Sequence, residues 1–104
     1  MYENFFSKRL AQLRMAKGVS ARSMSLSIGQ NPSYINNIET GKTLPSMAGF
    51  FYICEYLNIT PAQFFDTENQ NPEYLDQLVQ ELKHLDAKQL ETISSLVREF
   101  LRKR

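Results

Sequence analysis

Ser33, Asn36, Asn37 and Thr40 are short, hydrogen-bonding side chains, and their spacing puts them on one side of a helix with Pro32 on its leading edge. Ile35, Ile38 and Glu39 share the opposite side. An asparagine amide can pair bidentately with adenine N6 and N7. A serine hydroxyl serves several base edges, and proline or threonine carbons can touch the thymine methyl. The set therefore suits the major groove of double-stranded DNA, and its plainer alternative is an ordinary solvated helix face.

The residues around that helix supply the elements that must hold it. Ser20 is a candidate N-cap, Met24 and Ile28 give the next helix an apolar face, and Gly29 is placed where a helix commonly ends. Asn31 then caps a second helix, with Pro32 at its first position and Gly41 closing it. Two short helices joined by a glycine-containing turn make the plan of a DNA-binding helix-turn-helix. Phosphate contacts are expected beside the reading helix, from Ser20 and the helix start that it caps, from Arg22, and from Lys42 in the following loop. Such contacts position a protein without reading sequence. The alternative role of Arg22 and Lys42 is surface solubility, and Tyr34 either packs or reaches a phosphate.

From Arg9 to Phe65 the chain resembles the five-helix domain of the Xre/Cro, lambda-repressor-like family of phage and bacterial repressors. Gly18-Val19-Ser20 resembles that family's join between helices one and two. Tyr34 to Lys42 resembles its recognition helix and following loop, Leu44-Pro45-Ser46 the start of its fourth helix, and Leu57 to Phe65 its fifth. The resemblance implies a structural ion pair between Arg14, near the end of helix one, and Glu39, at the end of helix three. It also exposes departures. Many members carry glutamine at the place of Ala21 and basic residues at those of Leu44 and Met47, all of them DNA-backbone contacts that this chain lacks.

Further elements follow from periodicity. Helix one is expected over about Asn4 to Lys17, with Phe6, Leu10 and Leu13 inward. Helix four carries the stripe Met47, Phe50, Phe51, Cys54 and Leu57. Asn58 stands where a left-handed C-terminal residue is common. Thr60-Pro61-Ala62-Gln63 is a capping box opening a short helix that buries Phe64 and Phe65. Residues 67–71 are a polar linker. Beyond it, Leu75, Leu78, Leu82 and Leu85 form one stripe, and Leu90, Ile93, Val97 and Phe100 form another after a second capping-box start at Asp86. Two such helices cannot hide both stripes by themselves, so the tail needs the main domain or a second chain.

Composition sets the limits. The 104 residues carry a net charge of +1, with +2 in residues 1–66 and −1 in residues 67–104. Strong basicity, a common mark of nucleic-acid binders, is absent. No stretch approaches the roughly 20 apolar residues of a membrane span, and no signal-peptide core is visible, so a cytoplasmic protein is expected. Cys54 is the only cysteine and reads as a buried thiol. The single histidine, His84, lacks metal-ligand spacing, and no glycine-rich phosphate loop occurs. No catalytic residue, metal or cofactor is expected.

The reading is an all-α protein, with a five-helix DNA-binding domain at 1–66 and a two-helix tail at 72–104. It would act as a homodimeric regulator, most simply a repressor, on a palindromic operator, with Leu90, Ile93, Val97 and Phe100 at the dimer contact. The alternative is a protein-interaction adaptor or an antitoxin that keeps the helix-turn-helix scaffold. An inducer or protein partner is left open.

Overall fold

Hydroxyl and carboxylate side chains set the starts of four helices. Ser20 Oγ accepts the Ser23 N–H at 3.0 Å, and Ser46 Oγ accepts that of Gly49 at 3.0 Å. Thr60 with Gln63, and Asp86 with Gln89, form reciprocal capping boxes. The computed structural model describes residues 2–68 and 70–103, and over these it is all-helical. The helices are α1 (Tyr2–Lys17), α2 (Ala21–Ser27), α3 (Tyr34–Glu39), α4 (Met47–Leu57), α5 (Pro61–Phe64), α6 (Pro72–Leu82) and α7 (Ala87–Arg102). Asn58 ends α4 in the left-handed conformation at φ 57° and ψ 44°, which its short side chain tolerates.

Each of α1 to α5 sends side chains to one core. Leu10 and Leu13 come from α1, Met24 from α2, Ile35 and Ile38 from α3, Phe50, Ile53, Cys54 and Leu57 from α4, and Phe64 from α5. Phe64 is wholly buried although α5 has only four residues. Its ring lies 4.8 Å from that of Phe6 and meets Phe50 edge-on at 5.1 Å, an arrangement that aromatic quadrupoles favour.

Several boundaries and burials differ from expectation. Regular α3 starts at Tyr34, and Pro32 and Ser33 lie in a turn before it. Asn31 does supply a cap-like bond, its Oδ1 accepting the Ser33 N–H at 2.9 Å. Its carbonyl, however, takes the Tyr34 N–H in a tight turn of four residues, so helical repetition is delayed. On α4 the buried stripe is Phe50, Ile53, Cys54 and Leu57, with Met47 and Phe51 exposed. Ile53 lies three residues from Phe50 and four from Leu57, whereas Met47 sits at the helix start beyond the core. Phe65 is half exposed because α5 ends before it, and its ring stacks on that of Phe5 at 6.2 Å.

The chain divides into two compact units, Met1–Glu73 and Tyr74–Arg104, so the division falls inside α6 and not at the polar stretch after Asp66. In the first unit Lys17 closes on Glu73 at 3.2 Å and lies over the Tyr56 ring, fastening the start of α6 to the end of α1. In the second, no described residue is buried. Leu85 lies past the end of α6, so that helix presents Leu75, Leu78 and Val79. α7 presents Leu90, Ile93, Leu96, Val97, Phe100 and Leu101. No helix of the described residues is long and apolar enough to cross a membrane.

Candidate nucleic-acid interface

A helix of six residues does not persist in water by itself, so the position of α3 depends on what grips it. At its N-terminal end the grip is Ser25, a fully buried residue of α2. Its hydroxyl donates to the Ala21 carbonyl at 2.7 Å, and its oxygen accepts the Ile35 N–H at 2.9 Å. That single side chain satisfies one of the amides left open at the helix start while fixing the corner between α2 and α3. At the other end, the buried Ser7 of α1 donates to the Ile38 carbonyl at 2.7 Å.

The third grip is ionic. Arg14 Nε meets Glu39 Oε2 at 2.7 Å and Nη2 meets Oε1 at 2.9 Å, a bidentate pair, while Nη1 donates to the Val19 carbonyl at 2.9 Å. Hydrogen bonding to Glu39 raises the Arg14 pKa against the opposing cost of desolvation. The planar fork makes the attachment directional.

With its inner side so occupied, α3 turns the rest of its surface outward. Pro32, Ser33, Asn36 and Thr40 are exposed, and Asn37 is half-buried. Thr40 donates its hydroxyl hydrogen to the Asn36 carbonyl at 2.9 Å, which leaves its oxygen lone pairs as its polar offering. Ser20, Arg22 and Lys42 are exposed, and Ser20 Oγ is engaged as the cap of α2. The Lys42 N–H donates to the Asn37 carbonyl at 2.9 Å, seating the loop on the end of α3. Tyr34 is half-buried with its ring against the core, and burial pushes its phenol pKa up. Ala21 also packs against the core. Leu90, Ile93, Val97 and Phe100 are all exposed on α7. Among the described residues no His, Cys, Asp and Glu side chains gather in a group able to hold a metal ion.

A family model described as a helix-turn-helix domain matches residues 7–84. The chain belongs to this helix-turn-helix family. Its members are DNA-binding regulators of the Xre kind. Among solved structures, this helix-turn-helix chain is similar to the restriction-modification controller protein C.AhdI from Aeromonas hydrophila. The two share 30% sequence identity at a TM-score of 0.57, over 61% of this chain and 91% of that one. No curated protein matches.

Sequence reasoning passed over two groups in this helix-turn-helix domain. Ser7 and Ser25 drew no assignment; the available signal was their place on apolar faces, Ser25 beside Met24 and three residues before Ile28. Arg9 entered only as one of the basic groups of residues 1–66. It is buried, donating to the Gln63 and Asp66 carbonyls at 2.8 and 2.7 Å and through Nε to the Phe64 carbonyl. Desolvation lowers its pKa, partly offset by the Asp66 charge. A cation among the last carbonyls of α5 suits the negative end of a helix.

Proposed function

We propose that the protein is a sequence-specific transcriptional regulator that reads a palindromic operator as a homodimer. The observation that carries this reading is the division of α3 into a gripped side and an outward polar side, since a reading helix must be both rigidly set and free to touch bases. Pro32, Ser33, Asn36, Asn37 and Thr40 are assigned to base edges. Ser20, Arg22 and Lys42 are assigned to phosphates, which fix the register on the duplex. Residues 1–66 supply the DNA-binding domain and residues 72–104 the dimer contact. One such helix reads only a few base pairs, and two-fold pairing doubles the readout at half-sites about 34 Å apart.

Selection of bound duplexes from a random DNA pool tests this. Enrichment of a two-fold symmetric sequence is expected. Retention of DNA without sequence enrichment, or of none, would transfer the scaffold to the protein-adaptor reading, which the missing helix-two glutamine and the unbasic Leu44 and Met47 would then explain.

A further inference from the structure

Gly49 sits inside the first turn of α4, three residues after the Ser46 cap, where alanine would serve the helix better. It is buried, and its backbone has no left-handed φ to require glycine. The need comes from across the fold. A Cβ built on Gly49 would stand 2.6 Å from the Tyr34 hydroxyl oxygen, well inside contact distance. Its next neighbours, Ser46 Oγ at 3.2 Å and Pro45 Cβ at 3.5 Å, are spacings that small shifts absorb.

We propose that Gly49 is a positioning residue for the reading helix: the missing side chain forms a seat for Tyr34, and the seated phenol sets the N-terminal end of α3 against α4. Tyr34 is the first residue of α3, and its ring packs against the core. A displaced hydroxyl therefore has two exits, loss of the ring's packing or a shift of the helix that carries it. Either moves the end of α3 that bears Ser33 and Asn36. The role differs from a phosphate contact for Tyr34, and it rests on the reading that α3 faces DNA.

The test is a cycle of Gly49→Ala, Tyr34→Phe and the double variant in the full chain. Each is read by thermal unfolding and by the ratio of affinities for the selected duplex and for random duplex. Gly49→Ala is expected to lower the melting temperature and to cut the ratio by about tenfold, the scale of one lost base contact. In the Tyr34→Phe background the same change should raise the melting temperature, because the oxygen is gone and alanine is the better helix former, and the ratio should recover. Should Gly49→Ala fail to fold alone, a folded and selective double variant supports the seat. Two unfolded variants overturn it. So do a higher melting temperature for Gly49→Ala with Tyr34 intact, a ratio that does not move although the native chain prefers the selected duplex, and a loss that persists in the double variant; a native chain without that preference fails the DNA-reading assignment instead. The thermal cycle needs no DNA, so failure of the DNA-reading assignment and failure of the seat appear in separate measurements.

Discussion

In residues 2–73, apolar side chains from five helices meet in one core, and the buried polar groups Ser7, Arg9 and Ser25 are all hydrogen-bonded. In residues 74–103, most of α6 and the whole of the capped helix α7 expose leucine, isoleucine, valine and phenylalanine along their lengths. The first region has its partners inside itself. The second has local helix signals without a core, and helices of this length draw most of their stability from packing. The contrast is between a region whose geometry is fixed by its own core and one whose apolar side chains remain exposed.

The largest effect should come from breaking the tail's side of this contrast. Ile93→Asp or Val97→Asp is expected to convert a dimer to a monomer in sedimentation, with the first region still helical. Affinity for a two-half-site duplex should fall by about 10²- to 10⁴-fold as the effective concentration of the second reading helix vanishes. A surviving dimer with full affinity would move the interface to the first region, where Tyr2, Phe5, Leu44 and Phe65 line an exposed apolar cleft. Next in size is the ionic grip. Arg14→Ala and Glu39→Ala should each cost about 3 kcal/mol of stability by stranding a largely buried charge, and the double variant should lose much less than the sum. Strict additivity in denaturant titrations would mean that the two residues act independently.

Ser25→Ala and Asn36→Ala then separate holding from reading. The first should cost about 1–3 kcal/mol of folding stability by orphaning the Ile35 N–H. The second should leave stability within about 0.5 kcal/mol and instead cost about 1–3 kcal/mol of binding on the selected site, with little effect on random DNA. The smallest effect concerns Cys54, whose thiol burial pushes up from an ordinary 9.0 to about 11. Because the folded value lies above the unfolded one, the stabilisation is complete below pH 9 and is lost as pH rises toward 11. Alkaline unfolding curves of the native chain and Cys54→Ala should diverge across that window; parallel curves would remove the thiol from the alkaline response.

Legibility followed range. Features written within one turn were readable from the residues alone: the Ser20 cap, the Thr60–Gln63 box and the left-handed Asn58 all depend on neighbours in sequence. Arg14 and Glu39 were paired only through the family resemblance, because no local pattern joins residues twenty-five apart. Ser7, Arg9, Ser25 and Gly49 escaped notice because each acquires its role from a distant backbone group or side chain, and a hydroxyl, a guanidinium or a missing methyl looks ordinary until that partner is in place. Met47, Phe51 and Phe65 were misjudged for a related reason. Periodicity reports which residues are apolar, whereas the depth of the core at each helix end is a tertiary property.

Two of the grips on α3 hold main-chain atoms, the Ile35 amide and the Ile38 carbonyl. They are indifferent to the side chains that the helix displays. Exchanging Ser33, Asn36 or Thr40 for other residues of modest helix propensity leaves both attachments whole, so the vocabulary of this surface can be rewritten while its grammar stays fixed. A lineage built on such a scaffold can drift from one recognition target to another through single substitutions, without an unfolded intermediate along the way.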